Sequence, residues 1–303
     1  MERWQLGEDE AWLSLLALVR HRRGGGAGGG TLAVWPDTAG RIQAGGRPDA
    51  APLLLRVEPD GRVEFAVEPG PAARTLLERY LPLCAPPGGR ERFVVAHLGQ
   101  SLDGRIAASS GASRWVTGPE DLAHNHRMRA LFDAVVVGAG TVRHDDPQLT
   151  VRLVAGDNPV RVILDARRTL AAGYGVFGDG RAATLLLCAE ELAGAGGGRL
   201  GEAEVVGVPT DDDGALDPRA ILDRLAGRNL NRVFVEGGGV TVSRFLRAGC
   251  LDRLQITVAP VIIGSGRPGI SLPEVDDLAG CLRPPTRRFE LGADVLFECI
   301  LHE

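Results

Sequence analysis

The sequence lacks paired cysteines, the usual mark of structural zinc sites and of disulfide frameworks. Its five cysteines are widely scattered, and no two of them form a Cys-x-x-Cys pair. This spacing argues against both kinds of site, and it is typical of reduced thiols in a cytoplasmic protein. We therefore predict no metal centre. The cysteines are Cys84, Cys188, Cys250, Cys281 and Cys299.

The sequence also lacks a secretion signal, a membrane-length apolar run and an excess of basic charge. Its start, Met1-Glu2-Arg3-Trp4, does not have the basic-then-apolar order of a signal peptide. No apolar run approaches the ~20 residues that cross a bilayer. The formal net charge of −5 argues against a general nucleic-acid-binding protein. We expect a cytoplasmic protein without membrane or nucleic-acid partners, with room for a local basic pocket.

The residues that are present indicate a folded protein in two parts. Of the 303 residues, 44% are hydrophobic and 24% are charged, which suits one large domain or two ordinary ones. Prolines and glycines cluster at residues 82–89, and this cluster predicts a boundary. We therefore divide the chain into residues 1–88, a small α/β region of unknown role, and residues 89–303.

Local patterns in residues 1–88 predict two helices and a hairpin. Apolar residues at helical spacing predict a helix that ends in the basic run Arg20–Arg23. The turn Pro59-Asp60-Gly61 predicts a hairpin formed by residues 53–57 and 63–67. A second helix is predicted for residues 71–80, with a proline at its start. None of these features indicates catalysis.

Residues 89–303 alternate between strand patterns and helix patterns, which predicts an α/β sheet with helices on both faces. Helices are predicted for residues 117–132, with Thr117 as the cap, and for residues 218–227 and 240–248. The predicted strands are Phe93–Leu98, Val135–Val137, Val160–Leu164, Thr184–Cys188, Val205–Val208, Arg232–Val235, Leu254–Val258, Val261–Ile263 and Val295–Leu301.

Glycines and polar residues follow the strand Val135–Val137 at once. Glycine lets a backbone approach a ligand closely, so residues 138–152 are predicted to form a binding loop at the carboxyl end of the sheet. A Rossmann fingerprint is incomplete here and is disfavoured, because its third glycine would stand where the chain has Arg143. The carboxylates of Asp145 and Asp146 would also repel a pyrophosphate.

A second glycine run, Glu236-Gly237-Gly238-Gly239, lies between a predicted strand and a predicted helix. Backbone N–H groups and the helix dipole would form an anion site there, suited to a pyrophosphate. Glu236 should then face a ligand hydroxyl or amine, because it would repel an anion. The simpler alternative is a flexible turn.

Other polar residues have simpler interpretations. Asp103 is predicted to be a turn former, and His97 to be structural. His124 and His126 point to different faces of one helix and cannot bind one metal ion together. His144, beside the aspartate pair, is assigned a supporting or solvent-facing role and not acid–base catalysis.

A set of motifs, taken in chain order, resembles the pyrimidine reductase of riboflavin biosynthesis, the reductase half of a bifunctional deaminase/reductase. The resemblance covers about residues 91–303. It implies a dihydrofolate-reductase-like α/β fold, a mostly parallel sheet flanked by helices, and makes residues 89–303 the reductase domain. The motifs are Gln100–Ala107, Gly111–Thr117, Gly138–Val142, Asp145–Pro147, Leu149–Arg152, Val162–Asp165 and Glu236–Gly238.

The resemblance implies an NADPH-dependent reductase. Hydride would reach C1′ of a pyrimidine of the 5-amino-6-(5-phosphoribosylamino)uracil type and convert its ribosyl group to a ribityl chain. The cofactor carries the chemistry, so the protein would supply position and charge. The family usually forms homodimers. The His-x-Glu and Pro-Cys-x-x-Cys motifs of the zinc deaminase half are absent, so we expect deamination to be carried out by another protein.

Two alternatives stay open. One is a related reductase that acts on a pterin, a deazaflavin or a nucleoside-type secondary metabolite. The other is a non-catalytic nucleotide-binding protein that keeps the fold. Retention of the whole set of motifs, with Glu236 and both matching arginines, Arg129 and Arg152, speaks against the second.

The resemblance also assigns site residues position by position, without a catalytic acid or base. Arg129 and Arg152 would clamp the substrate phosphate by bidentate hydrogen bonds, and Asp145 and Glu236 would position ribose hydroxyls. The substrate-binding residues are Ser113, Arg129, Leu149, Arg152 and Glu236. The cofactor-binding residues are Gly99, Trp115, Thr141, Asp145, Gly238, Gly239, Val240, Thr241, Val242, Ser243 and Arg244.

Three points about these site residues need separate comment: the role of Arg129, the glycine at position 99 and the partner of the 2′-phosphate. Without it, Arg129 would be interpreted as a solvated side chain on a helix. Gly99 stands where the family often has alanine, a change that a backbone contact tolerates. The partner of the NADPH 2′-phosphate is open, with Arg167 and Arg168 as candidates.

Overall fold

The computed structural model describes residues 5–26, 30–48, 51–86, 89–113, 116–194 and 198–302. The chain forms two compact units, Met1–Glu91 and Arg92–Glu303. Within the described residues, no helix combines the length and the apolar character that a membrane crossing requires.

The first unit contains a small antiparallel sheet and two helices. The predicted hairpin is confirmed, since β3 and β4 pair antiparallel around residues 58–62. Helix α2 runs past its predicted end at Tyr80 and includes Pro82, because its buried apolar residues continue to Leu83. The elements are α1 Glu8–Arg23, β1 Leu32–Pro36, β2 Ile42–Gly45, β3 Leu55–Val57, β4 Val63–Phe65 and α2 Pro71–Cys84, with strand order β2-β1-β3-β4.

The second unit alternates strands and helices along the chain. The strands are β5 Phe93–Ser101, β6 Arg105–Ala107, β7 Ala134–Gly138, β8 Val160–Leu164, β9 Thr184–Ala189, β10 Gly198–Leu200, β11 Ala203–Val208, β12 Arg232–Glu236, β13 Arg253–Ala259, β14 Arg267–Pro268, β15 Thr286–Leu291 and β16 Asp294–Ile300. The helices are α3 Pro119–Leu131, α4 Ala139–Asp145, α5 Glu190–Ala193, α6 Pro218–Ala226 and α7 Gly239–Arg247.

One large sheet organises the described residues of the second unit, in the order β10-β11-β9-β8-β7-β12-β5-β13-β16-β15. The strands from β11 to β13 are parallel, while β10, β15 and β16 are antiparallel to their neighbours. The predicted mostly parallel sheet flanked by helices is therefore confirmed. The middle residues of the central strands β7 and β12 are apolar and buried, as expected for strands covered on both faces, and β12 carries its charged residues, Arg232 and Glu236, at its two ends.

The strand order also explains where a site can form. Strands β7, β12 and β5 are parallel neighbours, so their carboxyl ends meet at one edge of the sheet. The segments that follow Gly138, Glu236 and Gly99 consequently lie together, although they are far apart in the sequence. An edge of this kind is where open α/β sheets bind ligands.

Two local predictions are wrong. The stretch after β7 is not a loop throughout, because α4 begins at Ala139, directly after β7. Val142 is its one buried residue. A single buried apolar residue does not produce the helical spacing by which a helix is predicted from the sequence. Val261–Ile263 is not a strand. The backbone N–H groups of Ile263 and Gly264 donate instead to the Asp103 carboxylate.

Two further details differ at element ends. Thr117 does not cap α3: the N-cap residue is Gly118, and the Thr117 hydroxyl donates to Asp121 instead. Strand β15 was not predicted, because its residues alternate between exposed and half-buried and its sequence has few apolar residues. It forms by pairing with β16 along its length.

Candidate active site

A cavity of about 890 Å³ opens at the carboxyl ends of β5, β7 and β12. This volume lies in the range of small-molecule and cofactor sites. Predicted substrate residues and predicted cofactor residues line the same space. Those that do so are Gly99, Ser113, Thr141, Asp145, Glu236, Gly238, Gly239, Val240, Thr241 and Arg244.

The other predicted residues that the structure describes do not line the cavity. Val242 is fully buried in the core, and the Ser243 hydroxyl accepts a hydrogen bond from the Ser271 backbone. Leu149 is buried with a left-handed backbone, φ +54°, and Arg152 is exposed. Trp115 lies outside the residues that the structure describes.

Arg129 and Glu236 form a buried ion pair beside the cavity. Nε and Nη2 of Arg129 donate to the two carboxylate oxygens of Glu236 at 2.7 and 2.5 Å, and Nη1 donates to the Thr150 carbonyl at 3.0 Å. Burial opposes the charge of Arg129, but Glu236 outweighs it and raises the pKa of the guanidinium. Arg129 is thus not solvated, and in this arrangement it orients Glu236.

The first turn of α7 needs its glycines. Gly237 and Gly238 have left-handed backbones, with φ of +72° and +68°, which side chains disfavour. A Cβ atom on Gly239 would lie 2.3 Å from the Gly269 carbonyl. The glycines therefore let β12 turn sharply into α7, so that the helix N-terminus faces the cavity. Backbone N–H groups and the helix dipole favour an anion there.

Helix α4 brings a second set of polar groups to the cavity. Thr141, His144 and Asp145 line it from this helix. The Ser113 hydroxyl lies 3.5 Å from the Asp145 carboxylate, a long contact. A Cβ atom on Gly238 would lie 3.2 Å from the Thr141 hydroxyl, so α4 and the start of α7 are close neighbours.

A buried polar network forms one wall of the cavity and was not predicted as part of the site. Asp121 accepts hydrogen bonds from the hydroxyls of Thr117 and Thr257 at 2.8 and 2.6 Å. His97 Nε2 lies 3.0 Å from the Thr257 hydroxyl and 3.1 Å from Asp121 Oδ1. Burial opposes the charge of Asp121, but the adjacent His97 and the other partners hold its pKa far below the usual range.

Gly99 belongs to the same wall. A Cβ atom at this position would lie 2.6 Å from the Thr117 methyl and 3.2 Å from its hydroxyl. The departure from alanine therefore has a physical reason in this chain, because Thr117 occupies the space that the methyl group of an alanine would need.

His126 fixes the segment that carries Leu149 and Arg152. Its Nδ1 accepts the backbone N–H of Arg152 at 2.8 Å, so that nitrogen carries no proton. Burial, with Arg129 and Arg152 nearby, lowers the pKa of His126 to about 4. His124 bonds elsewhere, to the Gln255 side chain at 2.9 Å.

Two arginines line the cavity among the described residues, Arg244 and Arg267. Arg244 pairs with Asp211, and its Nε is buried without a hydrogen-bond partner among the described residues. Arg267 was missed by the sequence interpretation, because nothing in its local pattern marks a ligand site. The candidates Arg167 and Arg168 do not line the cavity, and Arg168 donates to the Leu192 carbonyl.

Comparison with known proteins identifies relatives of the second unit. Residues 92–286 match the family model described as the RibD C-terminal domain. The 2,5-diamino-6-ribosylamino-4(3H)-pyrimidinone 5′-phosphate reductase of Methanothermobacter thermautotrophicus is 34% identical over 214 residues, 68% of this chain and 96% of that protein. The riboflavin biosynthesis protein RibD of Bacillus amyloliquefaciens is 34% identical over 175 residues, 57% of this chain and 46% of that protein.

A solved structure is similar as well. It is a diaminohydroxyphosphoribosylaminopyrimidine deaminase/5-amino-6-(5-phosphoribosylamino)uracil reductase from Thermotoga maritima. The two proteins share 30% identity and superpose with a TM-score of 0.57, over 69% of this chain and 56% of that one. The chain thus spans nearly all of the archaeal reductase but about half the length of the RibD proteins it matches.

Proposed function

The chain belongs to the RibD C-terminal domain family, and on that premise we propose that it is an oxidoreductase of riboflavin biosynthesis. It reduces the ribosyl group of a phosphoribosylamino-pyrimidine to the ribityl form. The observation that carries this proposal is the shared cavity, since Ser113, Asp145 and Glu236 line the same space as Thr141 and the first turn of α7. Hydride transfer requires cofactor and substrate in one space of this kind.

NADPH is the cofactor that we assign to this cavity, and the residues present fit it. The first turn of α7 suits the diphosphate. The buried Nε of Arg244 is a donor left without a partner among the described residues, and buried donors of this kind are normally satisfied. We assign it to the 2′-phosphate. Leu216, Ile221 and Phe245 line the cavity near Arg244 and suit an apolar base.

The chemistry needs few protein groups. The cofactor, when bound, supplies the hydride that C1′ of the ribosyl group accepts. The bond from C1′ to the ring oxygen breaks, and that oxygen takes up one proton. Both carboxylate oxygens of Glu236 already accept hydrogen bonds from Arg129, so we assign Glu236 to accepting hydrogen bonds from ribose hydroxyls and not to donating the proton. Asp145, at the end of α4, and Ser113, in the segment before α3, also line this space and position the sugar.

Two forms of the pyrimidine remain candidates. The first is the uracil form, the type named for the Thermotoga maritima protein. The second carries an amino group in place of one carbonyl oxygen of the uracil, as in the name of the archaeal reductase. One observation favours the second form, because the chain covers 96% of that archaeal protein and only 46% of a RibD protein.

The test is an assay of the purified full chain with NADPH and each pyrimidine in turn. We expect NADPH oxidation and a ribityl product, identified by mass spectrometry, with at least one form. Turnover of a pterin or deazaflavin alone would replace the proposal with the related-reductase alternative. NADPH binding without oxidation of any of these substrates would instead support a non-catalytic nucleotide-binding protein.

The assembly and the division of the chain are also proposals. We assign the reductase activity to residues 89–303 and expect a homodimer in the cytoplasm. Light scattering on the purified chain measures the mass in solution, and a monomeric mass at assay concentrations would reject the dimer.

A further inference from the structure

Arg267 lines the cavity without an acidic partner. Of the two arginines that line it among the described residues, Arg244 pairs with Asp211, whereas Arg267 forms no ion pair with a described carboxylate. Arg129, beside the cavity, is likewise neutralised by Glu236. Arg267 therefore contributes a positive charge to the site that is not paired directly with a described carboxylate.

The backbone around Arg267 is held in place by close packing. It lies on β14, which pairs with Ala107 of β6. A Cβ atom on the preceding Gly266 would lie 2.2 Å from the Ala107 carbonyl, and the Gly269 N–H donates to the Gly104 carbonyl at 3.0 Å. Arg267 thus projects from a short strand fixed on both sides, not from a free loop.

The same strand lies against the start of α7. A Cβ atom on Gly239 would lie 2.3 Å from the Gly269 carbonyl and 2.7 Å from the Pro268 carbonyl. Gly239 is the first residue of α7, so the strand that carries Arg267 touches the positive end of the helix dipole. The backbone that carries Arg267 and the electropositive start of α7 are therefore neighbours at this part of the cavity.

His144, on α4, contacts the Arg267 guanidinium. His144 Nδ1 lies 2.7 Å from the Gly140 carbonyl, which can only accept, so the ring proton is on Nδ1. Nε2 is the acceptor in the neutral form of such a ring, and Arg267 Nη2 faces it at 3.4 Å. Gly111 allows this approach, because a Cβ atom there would lie 2.9 Å from the same nitrogen. The remaining guanidinium donors form no hydrogen bond with another described residue, and a ligand can accept from them.

We propose that Arg267 binds a phosphate group at the exposed rim of the cavity, beside the start of α7. The planar guanidinium matches phosphate oxygens in a bidentate arrangement. The group is either the phosphate monoester of the substrate or the diphosphate of the nicotinamide cofactor. This inference rests on the proposed function for the identity of the ligand, but its test does not require turnover.

The test compares Arg267→Gln with the wild-type chain in direct binding titrations. The ligands are NADPH, NADH and ribose 5-phosphate, the last as a minimal analogue of the substrate phosphate. Arg288→Gln is the matched control, since Arg288 is exposed on β15 and does not line the cavity. Thermal unfolding checks that both variants fold, and Arg267→Lys should recover part of the lost affinity.

A rise of about ten-fold or more in a dissociation constant is expected for one ligand class, the size of a lost charge-assisted hydrogen bond. A rise for ribose 5-phosphate alone assigns Arg267 to the substrate. A rise for NADPH and NADH alike assigns it to the diphosphate. Unchanged constants for all three ligands overturn the proposal. Binding by the wild type without any turnover would reject the proposed function and leave this inference standing.

Discussion

Glu236 and Arg129 lock the last turn of α3 to the carboxyl end of β12. Both oxygens of the carboxylate accept hydrogen bonds from the guanidinium, although 107 residues separate the two in the sequence. Both side chains are buried or nearly so, with 17% of Glu236 and 7% of Arg129 exposed. The pair therefore has two effects: it stabilises the fold, and it orients a carboxylate that lines the cavity.

Removing Arg129 alone should destabilise the protein strongly. Arg129→Met leaves the Glu236 carboxylate without its partner, and breaking a buried pair in this way costs about 3–5 kcal/mol. Adding Glu236→Leu should recover part of that loss, because no unpaired charge remains. Urea unfolding of both single variants and the double variant measures the coupling. If the loss in the double variant equals the sum of the losses in the two single variants, the two side chains are energetically independent.

Gly99→Ala should act through Thr117. The new methyl would lie 2.6 Å from the Thr117 methyl, and overpacking of this kind costs about 1–3 kcal/mol. Thr117→Ser removes that methyl and keeps the hydroxyl that donates to Asp121. The alanine should therefore cost much less in a Thr117→Ser background. The measurement is the free energy of unfolding with and without Gly99→Ala, in the wild type and in Thr117→Ser. An equal loss in both backgrounds would contradict the steric explanation.

Much of the sheet could be predicted because its signals are local. The valine run before Gly138 and the apolar run before Glu236 both mark strands buried on two faces, and both are confirmed as β7 and β12. The glycines after Glu236 were assigned to a strand-to-helix turn for the same reason. Their φ values and close contacts now account for that sequence residue by residue.

The remaining site features depend on contacts between distant segments. Asp121 meets His97 and Thr257 only because α3 packs on the sheet where β5 and β13 pair in one register. Arg267 reaches the cavity because β14 pairs with β6, across a gap of more than a hundred residues. Neither relationship leaves a periodic or compositional trace near the residues themselves, so sequence patterns could not reveal them.

The stability of the protein should fall on mild acidification because of His126. Its folded pKa of about 4 is below the ordinary 6.5, so the unfolded chain takes up the proton first. The stabilisation is complete above about pH 6.5 and is lost as the pH falls towards 4. His126→Asn keeps an acceptor for the Arg152 N–H and removes the titration.

Unfolding free energies measured between pH 7 and pH 5 test this effect. The slope with pH should be shallower in His126→Asn than in the wild type. His302→Asn is the control, because His302 is exposed near the chain end and should keep the wild-type slope. Identical slopes in wild type and His126→Asn would assign the acid sensitivity to other groups.

Arg244 should decide between the two nicotinamide cofactors. Its Nε has no hydrogen-bond partner among the described residues and it lies on the cavity wall, and both observations support its proposed contact with the phosphate that only NADPH carries. Arg244→Gln should raise the dissociation constant for NADPH about ten-fold, with little change for NADH. Arg247→Gln is the control, since Arg247 lies on the same helix, pairs with Asp213 at 3.1 Å and does not line the cavity. The same comparison distinguishes Arg244 from Arg267. If Arg267 binds the diphosphate, its substitution should weaken the binding of NADPH and of NADH equally. An equal loss of NADPH and NADH binding in Arg244→Gln would place the 2′-phosphate elsewhere.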